Sequence, residues 1–242
     1  MFCPMIKCLS INAFFLWLIV PAPADTNAAP AAVNAPAPAT APAVSGKVLA
    51  VTNDSGIGSD GTVQDQNSYQ VRIGELHAPG GEAYILPVRI PTLPAGQRFQ
   101  SVHLRAQLTG LNNEAGGLAS ADLYGLGIRA TATVLPTDYY QGPKPDARAT
   151  LLQGSFLTQA SKVRTNPNTG PFVETSGDGD AALTKYFNDV AGKDGMAGKY
   201  LILRISYDAD PIPTGNSAYN LLTTGADGDN EPPIITYTLG PR

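Results

Sequence analysis

The chain has 242 residues, of which 43% are hydrophobic and 15% charged, with 25 Gly, 21 Pro and a formal net charge of −4. So many turn-forming residues favour a globular protein of short strands, and the acidic balance argues against a nucleic-acid partner. The two cysteines, Cys3 and Cys8, lie in the first ten residues, which excludes disulfides, cysteine zinc sites and a cysteine nucleophile from the remainder of the chain.

Residues 1–24 have the features of a secretory signal peptide. Lys7 precedes an apolar run at residues 9–20, which is too short for a membrane span of about 20 residues. Ala22-Pro23-Ala24 provides an A-x-A cleavage site. We therefore expect a secreted protein, extracellular or held at the cell surface, with no membrane span after cleavage. The alternative is that this segment stays on the chain as an uncleaved anchor.

Residues 25–46 consist mainly of Ala and Pro. Such a segment cannot bury enough apolar surface to fold, so it is either an extended tether or a leftover of secretion. The remainder, residues 47–242, is predicted to form one β-sandwich domain.

Period-2 alternation predicts strands from residue 47 to the end of the chain. The segment 199–208 is the most regular, with Leu201, Leu203 and Ile205 on one face, and is predicted to be the central strand. The predicted strands are 48–51, 68–74, 82–90, 99–108, 121–135, 151–157, 199–208, 218–224 and 233–239.

Proline and glycine positions predict irregularities in two of these strands, and alternation assigns the faces of a third. Pro87 favours an edge or a bulge, and Gly125 with Gly127 predicts a bulge in the strand 121–135. In the strand 99–108, Val102 and Leu104 belong to the apolar face, and the intervening polar residues are predicted to meet water or a ligand.

Helical spacing of apolar residues appears at 180–191, with Leu183 and Phe187 on the apolar face. Ser176 or Asp178 can cap this helix, and Gly192 follows its end. Nine or ten strands with one short helix predict an all-β, antiparallel sandwich of jelly-roll type.

The order of these features resembles secreted bacterial jelly-roll modules of the DNRLRE type, which are related to alginate-binding carbohydrate modules. Val88–Gly96 is similar to the family's "FDLSSLPAG" strand, Ser101–Leu108 to its "A-x-L-R-L" strand, and Pro232–Tyr237 to its closing strand. The family's arginine before the closing proline is Glu231 here, and the tryptophan usual near the helix is absent. The resemblance implies a jelly-roll fold and a carbohydrate ligand.

A set of basic residues on predicted strands is the first candidate site. If these residues gather on one sheet, they form a groove of fork donors for the carboxylates of an acidic polysaccharide. The alternative is that they pair with neighbouring acids and cover apolar surface. The residues are Arg72, Arg89, His103, Arg105, Arg129 and Arg204.

Tyr139 and Tyr140 are the second candidate, because adjacent loop aromatics can stack on sugar rings. The alternative is that they pack on the edge of the sandwich.

Two acidic, glycine-hinged runs are candidate calcium sites, because oxygen ligands on flexible turns suit a hard cation. Ordinary solvated turns, with acids favoured at a helix N-terminus, explain the same residues without a metal. The candidate ligands are Asp178, Asp180, Asp227 and Asp229.

The sequence contains no recognisable set of catalytic residues. His77 and His103 are the only histidines, and no nucleophile motif or histidine pair occurs. We therefore expect a non-enzymatic module that binds polysaccharide or a cell-surface glycan. A structural protomer of an extracellular layer or fibre is the alternative, and a polysaccharide lyase or hydrolase is less favoured because two distant carboxylates can still form a glycosidase site.

Overall fold

A computed structural model describes residues 46–64, 70–75, 81–113, 117–140, 146–164, 171–207, 217–223 and 233–242, all of them within the unit Ala43–Arg242. Strands account for 52% of the described residues and helical segments for 11%. The predicted all-β class is confirmed. His77, Asp227 and Asp229 lie outside the described residues, as do the predicted signal peptide and residues 25–45 of the predicted tether.

The described part of the chain forms eleven strands, one α-helix and one 3₁₀ turn at Pro136–Asp138. In chain order they are β1 (Lys47–Leu49), β2 (Ser55–Gly58), β3 (Gln70–Glu75), β4 (Glu82–Arg89), β5 (Gln97–Asn113), β6 (Ala121–Arg129), β7 (Thr150–Leu157), β8 (Phe172–Glu174), α1 (Gly177–Val190), β9 (Tyr200–Tyr207), β10 (Ser217–Leu222) and β11 (Ile234–Pro241).

The strands form one curled antiparallel sheet in the order β1-β11-β5-β10-β3-β4-β9-β6-β7, with β2 beside β4 and β8 beside β5. The long strand β5 joins the two layers, because its first part pairs with β11 and its last part with β10. This geometry is consistent with a sandwich, in which the inner faces of the layers bury the apolar residues of each strand.

Strand β9 lies between β4 and β6, as the sequence predicts for a central strand. Leu201, Leu203 and Ile205 are each 0% exposed and belong to the main core. On the other face of β9, Ile202 joins a second, smaller apolar cluster with Ile85 and Val134. The outer face of this layer is therefore also covered.

The polar face of β5 differs from the prediction at one position. Gln107 is 1% exposed instead of meeting water, and its Oε1 accepts a hydrogen bond from Arg164 Nη1 at 3.3 Å. Val102 and Leu104 are fully buried, as predicted.

Strands β2 and β8 were not predicted, and both are short. β2 lies in the Gly-rich run 53–61 and pairs with β4, whereas β8 lies in a predicted loop and pairs with β5. Each is too short to show the alternation of apolar and polar residues that predicts a strand, and each pairs with a longer strand. The predicted strand 121–135 ends at Arg129, and the predicted bulge appears as a register shift between Gly125 and Gly127.

Helix α1 begins where the sequence provides a cap. The Ser176 hydroxyl accepts a hydrogen bond from Gly179 N at 3.1 Å, and Asp178 and Asp180 lie in the first turn, where the helix dipole favours acids. Leu183 and Phe187 are fully buried against the sheet.

Polar side chains of α1 make hydrogen bonds with backbone N–H and C=O groups of β5 that do not pair with a neighbouring strand. Asn188 accepts from Phe99 N at 3.0 Å and donates to Phe99 O at 2.8 Å, and Thr184 accepts from Val102 N at 2.8 Å. Asn188 thus makes the two hydrogen bonds that a neighbouring strand residue would make. These hydrogen bonds hold the helix beside β5, and the groove described below lies next to this contact.

In the described part of the chain, no helix has the length and the apolar composition that a membrane span requires.

Candidate functional site

The predicted basic residues fall on two different layers. Arg72, Arg89, Arg129 and Arg204 alternate with core residues on β3, β4, β6 and β9, so they share the outer face of one layer. His103 and Arg105 lie on β5, in the part that pairs with β11 and β8. The sequence predicted that several of these residues lie opposite the apolar faces of their strands, but the six residues do not line one groove.

Arg204 is buried rather than presented to a ligand, with 0% exposure. Its Nη1 donates to Asp138 O and to Asp146 Oδ2, each at 3.1 Å, and its Nε donates to Ser206 Oγ at 3.1 Å. Its guanidinium also lies over the Tyr124 ring, 4.9 Å from the centroid. Arg204 therefore attaches residues 130–140 and 146–149, which we call the covering segment, to the sheet.

Arg129 has a similar role. It binds the Asp138 carboxylate through both Nη atoms and also donates to Thr133 O at 3.2 Å. Asp138 is 1% exposed, and its Oδ2 accepts from Leu135 N at 2.8 Å. This bidentate pair closes the first turn of the covering segment.

Asp146 receives hydrogen bonds from two arginines. Arg148 donates to it from N at 2.9 Å, Nε at 3.0 Å and Nη2 at 3.2 Å, in addition to the bond from Arg204. Burial by itself would raise the pKa of Asp146, but the hydrogen bonds and charges of Arg148 and Arg204 outweigh it and hold the pKa at about 2.

The two predicted sugar-stacking tyrosines are half-buried in the covering segment. Tyr139 packs on the second apolar cluster, and burial raises its pKa to about 12. The guanidinium groups of Arg148 and Arg204 lie 5.6 Å and 5.4 Å from the centroid of the Tyr140 ring. Both rings hold the covering segment in place, which was the alternative to sugar stacking.

Arg89 is exposed on the outer face and lies directly opposite Tyr200, which in turn lies opposite Arg129. Arg72 is half-buried on β3. Of these residues, Arg89 is the one whose side chain is open to solvent.

His103 lies at the N-terminus of α1. Its Nδ1 is 3.0 Å from both carboxylate oxygens of Asp180, and its Nε2 is 4.0 Å from Glu174 Oε1. The Thr175 hydroxyl also hydrogen-bonds to Asp180. Nearby, the Arg105 guanidinium lies 4.3 Å from the centre of the Phe172 ring. These contacts hold β5, β8 and α1 together.

Among the described residues, no group of three or more His, Cys, Asp or Glu side chains is arranged to hold a metal ion. Asp178 is exposed in the first turn of α1, and Asp180 is engaged with His103. Calcium at Asp227 and Asp229 stays a prediction, because those residues lie outside the described part of the chain.

A concave surface lies beside α1, where the sequence indicated only the calcium candidates Asp178 and Asp180. A recess of 650 Å³ is bordered by α1, the start of β5 and the end of β11, and recesses of 270 Å³ and 350 Å³ continue it past the C-terminus of the helix. The middle recess shares Arg98 and Asn188 with the first and Gly192 and Arg242 with the third. We call this continuous channel the α1 groove.

The lining of the α1 groove is mixed: apolar atoms make up more of the exposed surface of its largest recess than polar atoms, and exposed polar side chains are placed among them. Gln100, Ser101 and Arg98 enter it from β5, and Lys185 and Asp189 form an ion pair along the helix. Ser101 Oγ and Thr238 Oγ1 are 2.6 Å apart at its β11 side. Such groups can both donate hydrogen bonds to a ligand and accept them from it.

These residues were missed because they come from separate elements. Arg98 lies on β5, Lys185 on α1, and Arg242 follows β11. The β5–β11 register, in which Gly240 lies opposite Arg98, brings the first and last together. No local sequence pattern records that register.

The chain matches no protein-family model and no curated protein. The likeness to DNRLRE-type modules therefore stays a prediction, and the functional argument depends on the geometry of the groove.

Proposed function

We propose that this protein is a secreted, non-enzymatic module that binds polysaccharide, and that the glycan chain lies in the α1 groove. The groove is the observation that carries this proposal. It is open and elongated, it presents amide, hydroxyl and charged groups on a partly apolar surface, and helix residues 180–190 alone give it a length of about 15 Å. A polymer rich in hydroxyl groups needs a surface of this kind, with many donors and acceptors along one direction.

The walls of the groove are rigid enough to be preorganised. The contacts of Asn188 and Thr184 with the β5 backbone fix the helix, and Phe187 packs beneath it against Phe99 with ring centroids 5.3 Å apart. Preorganised walls reduce the entropy that is lost when a ligand binds.

Two carboxylates, Asp180 and Asp189, line the recess of 650 Å³, and their separation and partners favour glycan binding over glycan hydrolysis. Asp180 and Asp189 are nine residues apart on α1, which separates their backbones by about 13 Å, whereas paired glycosidase carboxyl groups lie about 5–9.5 Å apart. Each is also held by a basic partner, Asp180 by His103 and Asp189 by Lys185. Neither is arranged as one member of an acid and base pair.

A blocking substitution tests this proposal. Ala181 is exposed on α1 and lines the groove, so Ala181→Trp fills the groove without entering the core. The matched control is Ala130→Trp, at an exposed alanine of the covering segment that does not line the groove.

We expect the unaltered protein and the Ala130→Trp variant to be retained on the same immobilised polysaccharides, and Ala181→Trp to lose at least tenfold in affinity. Equal retention of all three proteins would place the glycan elsewhere. Release of shortened sugars would contradict the non-enzymatic part, and concentration-dependent assembly without glycan binding would favour a structural protomer instead.

A further inference from the structure

We infer that Arg98 and Arg242 form an oxyanion subsite in the middle of the α1 groove, so that the polymer bound there carries carboxylate or sulfate groups. This inference rests on the proposed function and adds the charge class of the ligand. Among the described residues, the middle recess of 270 Å³ is lined by Arg98, Asn188, Gly192 and Arg242. Two guanidinium-bearing residues thus border one small space.

Arg242 is held in place by the protein itself. Its Nε donates to Gln97 O at 3.2 Å, its Nη2 donates to Gly192 O at 2.8 Å, and its backbone N donates to Gly96 O at 2.9 Å. Two of the five guanidinium N–H donors are used in this way, and the others are left for a ligand. A fixed guanidinium loses little entropy when it binds an anion.

The Arg98 side chain, unlike that of Arg242, is not held by hydrogen bonds to described residues. It is exposed, and its guanidinium makes no hydrogen bond or ion pair with any residue that the structure describes. It lies opposite Gly240 in the register of β5 and β11, and the Gln100 side chain packs over that glycine. Among the residues that the structure describes, none competes with a ligand for the donors of Arg98.

Arg98 and Arg242 carry the charged side chains of the middle recess, and Asn188 and Gly192 complete its lining. The Asn188 amide is committed to the Phe99 backbone. Along the groove, Asp189 pairs with Lys185, and Asp180 is engaged with His103 and Thr175. Besides Arg242, the third recess is lined by one cation, Lys193, and one anion, Asp194. At the middle recess, the two side chains that carry charge are both cationic.

Two forked donors around a small recess suit a group with several acceptor oxygens. Carboxylates of uronic acids and sulfate esters are the two sources of that chemistry on polysaccharides. A neutral glycan would offer the two guanidinium groups only hydroxyl acceptors, whose hydrogen bonds are weaker than those of an anionic oxygen.

Binding is measured by calorimetry on the purified protein with polygalacturonate, dextran sulfate and uncharged dextran, at low and moderate salt. The variants are Arg98→Ala, Arg242→Ala and the double variant, with Arg98→Lys and Arg242→Lys to keep the charge but remove the fork. Lys193→Ala is the matched control, because it removes one exposed cation from the same groove outside the middle recess.

We expect a charged polymer to bind more tightly than dextran, and each Arg→Ala change to weaken that binding by about tenfold. Carboxylate and sulfate are distinguished by which of the two charged polymers binds more tightly. The inference is overturned if the double variant binds charged polymers as well as the unaltered protein, if dextran binds equally well, or if Lys193→Ala loses as much as either arginine variant.

A second measurement separates this inference from the proposed function. Sodium sulfate is titrated while the NMR resonances of the Arg98 and Arg242 Nε–H groups are followed. Saturable shifts that vanish in the double variant support the subsite even if no polysaccharide binds. Absence of saturation refutes the subsite and leaves glycan binding in the groove to be judged by the Ala181→Trp test.

Discussion

Arg204 Nη1 lies 3.1 Å from Asp146 Oδ2, and the two side chains, 0% and 4% exposed, join the central strand β9 to the covering segment. Both charges are taken out of water, so each depends on the other to offset its desolvation. The same Nη1 donates to Asp138 O, and Asp138 is bound to Arg129. The covering segment is therefore held by a connected network rather than by apolar contacts alone.

Removal of one partner of this pair should destabilise the protein strongly. We expect Arg204→Met to lower the free energy of unfolding by about 3–5 kcal/mol, because it leaves the Asp146 carboxylate without its buried partner. Urea denaturation measures this loss. The double variant Arg204→Met/Asp146→Asn should lose less than the sum of the single changes, and strict additivity would show that the pair is not coupled.

The same carboxylate should make stability depend on pH in the acidic range. The pKa of Asp146 is about 2 in the folded protein against an ordinary value of 3.8, so the ionised form contributes stability above about pH 4. That contribution is lost as the pH falls from about 4 through 2. Asp146→Asn should flatten this part of the curve of unfolding free energy against pH, and an unchanged slope in the variant would contradict the assignment.

Strand periodicity predicted which face Arg204 lies on but not what covers that face. The alternation of Leu201, Leu203 and Ile205 with Arg204 is local information, and it correctly identified the core and the central strand. The burial of Arg204 depends on the covering segment, which folds back over the sheet through the contacts of Asp138 and Asp146. Such a return of the chain is a tertiary event, and residue spacing within one strand contains no signal for it.

Asn188 should contribute to stability through its two bonds with the Phe99 backbone. Asn188→Ala leaves that N–H and C=O without partners beside a buried ring, and we expect a loss of about 1–3 kcal/mol in unfolding free energy. Hydrogen exchange at the Phe99 amide should accelerate in parallel. The control is Asp189→Asn, the neighbouring exposed residue, which should change stability by no more than about 0.5 kcal/mol.

Gly125 should not tolerate a side chain. A Cβ at this position would overlap the ring of Tyr186, which is 7% exposed and whose hydroxyl oxygen accepts a hydrogen bond from Gly127 N at 2.6 Å. We expect Gly125→Ala to cost about 1–3 kcal/mol through overpacking. In a Tyr186→Ala background the same change should cost much less, as a double-mutant cycle in urea would show. An equal cost in both backgrounds would mean that the ring is not the obstacle.

Much less of the candidate site than of the fold was predicted from the sequence. Arginine on strands was recognised as a candidate, yet the arginines that border the groove, Arg98 and Arg242, lie at the start of β5 and after β11. Helix α1 was predicted from its apolar face, whereas the groove is formed by its polar face, where Lys185 and Asn188 have no distinctive spacing. The site arises from the pairing of β5 with β11, which depends on the whole sheet.

A comparison of two exposed arginines decides between the sheet face and the groove. Arg89 lies beside Tyr200 on the outer face of β4 and does not line the groove, whereas Arg98 does. We expect Arg89→Ala to leave the affinity for a charged polysaccharide within about twofold, and Arg98→Ala to lower it about tenfold, in the same calorimetric assay. Both changes remove one exposed guanidinium, so the loss of net charge is matched. If Arg89→Ala proves the more damaging change, the glycan lies on the sheet face first suggested by the arginine pattern, and the groove proposal is wrong.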